Sequence, residues 1–455
     1  MLISILRILF ALFLLYTWFY ILHWLVGLGI SLYTQADFPR RKAAVRWLLP
    51  NSQVPPVSVI IAAHNEEACI VDTLETLLRE DYPGLEIIVV DDGSLDNTAG
   101  RVIDAFGLRP DRCESEIPIR ECYRGTAGDR SLILLRKEKG GKARALNCGL
   151  GICRGKYCLI LDADTQVRRG AIRAMAGRFL QDPRTVVCAG AVGNNDSVYH
   201  RLPLLQKCLV QFQTLEYYRT FYMQRIFLDR LNANIVVSGA FALFDVHLLK
   251  QMGGYQENTI GEDMELAMRL HAFCQSTGRE YRIAYAPEAK CTTQLPYRYR
   301  DFCRQRRRWQ IGMIQSLHVH RYMLLNAHYG WAGILAGSQF LLYELFAPFI
   351  ELLGLLTLVL SFAVGILHIG PVLQILLGYY LLMLLTQAVL VLSLNTYGAE
   401  KIPLPKLLGL LLMAILEFCS FHLINAGVKI LAIATFRKHK ATWQHIRRAH
   451  ETVKQ

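Results

Sequence analysis

The sequence predicts an α/β domain with a mainly parallel sheet, inserted between transmembrane α-helices. Three observations carry this expectation. The 455 residues are 53% hydrophobic with a mean hydropathy of +0.25, too apolar for a purely soluble chain of this size. The long apolar stretches sit at the two ends. Between about residues 34 and 330, where most of the 19% charged residues lie, short β-branched runs alternate with helical spacing.

Residues 2–33 are apolar except for Arg7 and His23, longer than the ~20 residues a spanning helix needs. The stretch exceeds a signal-peptide core and no small-residue cleavage site follows it, so residues 1–34 are expected to span. Arg40, Arg41, Lys42 and Arg46 come next, and such clusters mark the cytoplasmic side. The expected location is therefore a multi-pass protein of the cell (inner or plasma) membrane, with its soluble domain, residues 50–295, in the cytoplasm. The formal charge of +13 gathers at these boundaries, at Arg298 to Arg308 and at Arg437 to Lys440. No recognition helix or stacking motif accompanies it, so no nucleic acid partner is expected. Twelve cysteines without a C-x-x-C pair or a metal-ligand spacing read as buried free thiols in a reducing compartment.

The domain opens with a strand at Val57 to Ala63, a helix from Glu66 to Glu80 and a strand at Glu86 to Asp92, a βαβ unit. The order repeats with Leu132 to Arg136, a helix from Lys142 to about Cys153, and Tyr157 to Asp164. Parallel sheets of this kind bind ligands beyond the carboxyl ends of their strands. Two strands end there in acids: Asp91-Asp92-Gly93-Ser94 and Asp162-Ala163-Asp164. The first alone reads as a turn. The second offers paired hard oxygen donors suited to Mg²⁺ or Mn²⁺ bridging a diphosphate. Gly261-Glu262-Asp263-Met264-Glu265 opens another helix, where acids also serve as N-terminal caps. In Gln305-Arg306-Arg307-Arg308-Trp309, helical spacing puts Gln305, Arg308 and Trp309 on one face; a basic interfacial helix with a Trp anchor has the same pattern.

Beyond interfacial helices at 296–328, apolar runs at about 331–367, 371–394 and 407–435 give three or four spans within 329–436, followed by a basic cytoplasmic tail, 437–455. Pro348 divides the first run. Glu344, Glu351 and Glu417 lie inside these runs, either lining a wet path or solvated near an interface.

In this order and between membrane segments, the clusters resemble the processive family 2 glycosyltransferases: cellulose, chitin, hyaluronan and poly-N-acetylglucosamine synthases. His64-Asn65-Glu66-Glu67 and Gly141 to Asn147 match as well. The resemblance covers roughly residues 55–320 and implies a GT-A-like domain taking a UDP-sugar. It implies that Asp91 and Asp92 hold the uridine, that Lys142 seats the nucleotide sugar, and that Asp162 and Asp164 position the diphosphate, with the metal chiefly on Asp164. Asp263 would be the general base beside a substrate-binding Glu262. Arg308 would stabilise the leaving group, Trp309 would stack on the acceptor, and Gln305 would orient the helix or touch the donor. Ser238 to Phe241 falls where the family places a loop beside the acceptor.

Many polymer synthases carry Thr where this chain has Gly261. The tail is too short for the cyclic-dinucleotide-binding domain of bacterial cellulose synthases, which points away from cellulose. Two enzymatic readings follow: extension and export of a β-linked polysaccharide, with N-acetylglucosamine favoured by the overall layout, or transfer of one sugar to a glycolipid acceptor in the bilayer. A silent scaffold would not need Asp92, Asp164 and Asp263. Accessory subunits are not legible.

Overall fold

The computed structural model describes residues 2–40, 43, 54–195, 199, 202–396, 401–417 and 420–436. The expected basic residues Arg41, Lys42 and Arg46 and the tail from residue 437 lie outside the described residues. Ten strands form one sheet: β1 (Val57–Ala63), β2 (Glu86–Asp92), β3 (Arg109–Asp111), β4 (Glu121–Ala127), β5 (Arg130–Lys137), β6 (Tyr157–Asp162), β7 (Gln166–Val167), β8 (Thr185–Asn194), β9 (Phe241–Asp245) and β10 (Arg282–Thr293). Their order is β3-β4-β5-β2-β1-β6-β9-β8-β10-β7.

The centre, β5-β2-β1-β6, is parallel throughout. Its strands are almost wholly apolar and buried, because helices cover both faces of such a sheet. β9 runs antiparallel between β6 and β8, and β8 and β10 pair in parallel again. Parallel register brings Ala63 opposite Asp91 and Ala62 opposite Asp162, so the acids that finish β2 and β6 emerge along one edge.

The first helix after β1 begins only at Ile70, later than the sequence pattern suggests. Asn65 takes a left-handed φ of 58°, and the following amides are held from outside the segment: Glu66 N–H by Thr98 Oγ1 at 2.9 Å and Glu67 N–H by Asp96 Oδ2 at 3.2 Å. Residues 107–130, unexplained by pattern, contribute β3 and β4 as an antiparallel edge. There Cys113 and Cys122 are joined in a disulfide, a correction to the expectation of free thiols throughout. The antiparallel strands bring two cysteines nine residues apart within bonding reach; the other cysteines among the described residues are free.

At the N-terminus the helix Leu2–Ala36 is continuous. Ile3–Ala36 and Ile369–Thr396 are each long and apolar enough to cross a membrane. Two bent pairs also pass that test together: Ala332–Leu345 with Ala347–Ala363, turned by 55°, and Leu404–Glu417 with Phe421–Ala434. Pro348 stands at the start of the helix after the first bend, where its missing N–H breaks no ladder. The helices Tyr299–Val319 and Phe421–Ala434 pack together, which couples the soluble domain to the C-terminal bundle.

Candidate active site

A cavity of about 450 Å³ opens at the carboxyl edge of β1, β2 and β6. Asp92, Lys142, Asp162, Asp164, Glu262, Asp263, Gln305, Arg308 and Trp309 all line it. Of the sequence-predicted site residues, Asp91 is not on the wall. It is buried behind it, its Oδ1 accepting from the Ser94 N–H at 2.9 Å while Arg136 Nε lies 3.5 Å from the other oxygen.

Asp92 is buried and heavily engaged. Lys137 Nζ pairs with it, and the N–H groups of Gly140 and Gly141 donate to its two oxygens at 2.9 and 2.7 Å. Its carboxylate therefore anchors the loop that delivers Lys142. Gly93 makes that approach possible: its φ is +67°, and a Cβ there would lie 2.8 Å from Lys139 N.

Lys142 opens the helix Lys142–Ile152. Its Nζ lies 2.7 Å from Asp162 and 3.2 Å from Glu262, and donates to the Gly239 carbonyl at 3.2 Å. Burial opposes its charge, but Asp162, Glu262 and Asp263 outweigh that and hold the ammonium well above its usual range. Glu262 shifts up, chiefly through burial and further through Asp263, with Lys142 opposing. One cation and three carboxylates thus share the floor of the cavity. Asp164 accepts from Thr293 Oγ1 at 3.1 Å. Two residues apart at the end of β6, Asp162 and Asp164 both face the cavity with hard oxygen donors, a set that fits a divalent cation.

Asp263 is the second residue of the helix Glu262–Ser276. Its oxygens accept from Met264 N–H at 2.8 Å and Gly239 N–H at 3.2 Å, which fixes the carboxylate toward the cavity. The Ser238–Ala240 turn is part of the same wall. Glu265, the third acid of the cluster, is structural: Arg269 at 2.8 Å and His320 at 3.3 Å hold it in the core. At Gly261 the two helices meet backbone to backbone. A Cβ there would lie 2.9 Å from Gly312 Cα, and one on Gly312 would lie 2.8 Å from Gly261 Cα. A side chain at either position would have to push the two backbones apart.

On the helix Tyr299–Val319, Gln305, Arg308 and Trp309 face the cavity as their spacing predicts, with Trp309 42% exposed. Sequence reasoning missed Arg306. It is buried, makes two bonds of 2.6 Å to Glu216, and lies 4.5 Å from the Trp309 ring centroid. Arg306 therefore braces the Trp309 ring. Lys137 and Glu216 were missed as well, since neither belongs to a recognisable motif. Past Trp309 the cavity continues into the bundle to Gln339, Glu344, Asn425 and Lys429.

The fold and the acidic cavity define a glycosyltransferase of the GT-A type. The family described as Glycosyl transferase family group 2 matches residues 157–398, and Glycosyl transferase family 2 matches residues 58–253. The chain belongs to the family 2 glycosyltransferases. It is 31% identical over 300 residues to a poly-beta-1,6-N-acetyl-D-glucosamine synthase of Staphylococcus epidermidis, covering 65% of this chain and 63% of that protein. With the same-named synthase of Staphylococcus aureus strain COL the identity is 30% over 256 residues, 56% of this chain and 54% of that one. The chain thus matches somewhat under two thirds of the length of these curated relatives. Among solved structures, mannosyltransferase PcManGT from Pyrobaculum calidifontis in complex with GDP-Man and Mn²⁺ superposes with a TM-score of 0.52 at 20% identity, covering 83% of this chain and all of that one, a likeness of fold.

Proposed function

We propose that this protein is a membrane-integrated, inverting glycosyltransferase that moves N-acetylglucosamine from a UDP-sugar onto a growing β-linked polysaccharide and passes the product into its bundle. The observation that carries the reading is one continuous cavity joining the Asp162–Asp164 pair, Asp263 and Trp309 to the bundle residues Glu344 and Lys429. The likeness to the staphylococcal synthases supports the choice of sugar.

In this reading residues 50–295 are the cytoplasmic catalytic domain, 296–328 carry the acceptor-binding helix, and 1–34 and 329–436 lie in the membrane, the latter with three or four spans. Asp162 and Asp164 hold Mg²⁺ or Mn²⁺, which supplies charge stabilisation to the diphosphate. The turn built by Asp91 and Asp92 receives the uridine. Lys142, tied to Asp162 and Glu262, keeps the donor side of the floor from accumulating unbalanced negative charge.

Asp263 takes the proton from the acceptor hydroxyl as that oxygen attacks the anomeric carbon and the bond to UDP breaks. Direct displacement inverts the centre, giving a β-link from an α-linked donor. Arg308 stabilises the leaving diphosphate, and Trp309 supports the acceptor ring.

The test is UDP release by the protein in lipid nanodiscs across a panel of UDP-sugars, with sizing of the product. UDP-N-acetylglucosamine should be the preferred donor and the product a long polymer. A single glycolipid product would replace polymerisation by one-sugar transfer. Chelation with EDTA should abolish release, and Mn²⁺ or Mg²⁺ should restore it.

A further inference from the structure

We infer that Arg225 and Gln224 read the acetamido group of the acceptor saccharide and so determine its specificity; this rests on the function proposed above. Both residues line the cavity that holds Asp263, and both are half-buried. Among the described residues neither side chain has a hydrogen bond or an ion pair, and none of their nitrogen or oxygen atoms is sealed inside the protein. Other arginines nearby differ: Arg219 is paired with Glu417, Arg282 with Asp229 and Arg306 with Glu216. Burial pushes the Arg225 pKa down, partly offset by Tyr285 and Asp263. A guanidinium held charged and partly desolvated without a partner is unfavourable, and an accepting oxygen on a ligand would complete it.

The backbone turns both side chains to the cavity. The helical run from Leu204 to Arg230 contains a π-helical turn at Thr220–Gln224. Its cavity-lining residues form two rows spaced by four, Glu216, Thr220 and Gln224 beside Tyr217, Phe221 and Arg225. At about 3.6 residues per turn, such rows would rotate away by about 40° each turn. The wider i→i+5 turn takes up that excess and keeps the rows on the cavity side. Arg225 is also tied to the helix that bears Asp263. Its carbonyl accepts from Asn234 Nδ2 at 3.3 Å, and the Asn234 carbonyl lies 3.1 Å from His271 Nε2.

The chemistry of this part of the wall is that of an amide's complement. A guanidinium only donates, whereas a carboxamide donates and accepts. Arg225 therefore suits the acetamido C=O, and Gln224 Oε1 suits its N–H. Leu228, Val236 and Met264 also line the cavity and pack in one apolar cluster, a bed for the acetamido methyl. A hydroxyl in place of the acetamido group is a weaker acceptor for Arg225 and leaves that bed uncovered. Asp263 engages the acceptor through its attacking hydroxyl, so the acetamido group, elsewhere on the ring, needs contacts of its own.

The experiment uses the full chain in nanodiscs with UDP and Mn²⁺ but no donor sugar, so that acceptor binding is read without turnover. The ligands are β-linked N-acetylglucosamine tetramers and glucose tetramers of the same linkage, both uncharged. The acetylated tetramer should bind the parent protein at least about tenfold more tightly. Arg225→Met should bring that ratio under about threefold, and Gln224→Leu should lower it too. Arg225→Lys, which keeps a cationic donor, should hold the ratio above the Arg225→Met value. The melting temperature of Arg225→Met should equal or exceed the parent's, because the charge removed has no partner to lose. Equal binding of both tetramers to the parent, an undiminished ratio in Arg225→Met, or a melting temperature well below the parent's overturns the assignment. Absence of UDP release from UDP-N-acetylglucosamine would instead overturn the proposed reaction, and the binding ratio, read without donor, reports on Arg225 separately.

Discussion

At the scale of single residues, Asp263 is the sharpest test. Its carboxylate is held by two backbone N–H groups and faces the cavity, so Asp263→Asn keeps the shape and removes the proposed base. UDP release should fall by about two orders of magnitude or more; activity near that of the parent protein would remove Asp263 from the reaction. His271, on the same helix, tests the pH response of the fold. Burial, against a bond to the Asn234 carbonyl, pushes its pKa down to about 4. The fold thus favours the neutral ring. The resulting stability is complete above the unfolded value near 6.5 and is lost as pH falls toward 4. At pH 5 the loss is on the order of 2 kcal/mol. Thermal melting at pH 7.5 and 5 should show this drop, and His271→Asn should flatten it. The acids at strand ends and Gln305, Arg308 and Trp309 were legible because each depends on local period and strand register. Lys137, Glu216 and Arg306 were not: their partners lie 45 and 90 residues away in sequence, and a lone basic or acidic side chain carries no local sign of such pairing.

At the scale of elements, the contact between Gly261 and Gly312 makes a strong demand. Gly261→Ala places a Cβ against backbone that cannot yield as a side-chain tip would. It should lower stability by about 1–3 kcal/mol, read as a lower melting temperature, and reduce turnover with it. An unchanged melting temperature would show that the two helices are not in contact there. The strands β1, β2 and β6 were readable because buried parallel strands are continuous apolar runs. β9, Phe241–Asp245, is equally apolar and buried, but its antiparallel insertion between β6 and β8 is a long-range choice. The late start at Ile70 has a similar origin, since Thr98 and Asp96 that hold the preceding amides belong to another segment. Likewise the spacing of Cys113 and Cys122 does not reveal a bond that antiparallel strands make geometrically available.

For the whole molecule, the layout of a domain between apolar ends was legible from hydropathy alone, whereas the bend of 55° before Pro348 depends on how the bundle packs. Sidedness is testable. Leu95 is 91% exposed beside the donor end of the sheet, so Leu95→Cys should gain labelling by a membrane-impermeant maleimide, above the parent background, in inside-out vesicles and not in intact cells. The reverse would place the domain on the other side. One feature of the fold also limits how a product could advance. The helices bearing Asp263 and Trp309 touch through bare backbone at Gly261 and Gly312, so sliding one past the other by the length of a sugar would have to break that contact. If the chain extends a polymer as proposed, the jaw is fixed, and forward travel would fall to the saccharide, relaxing along a stationary wall after each addition.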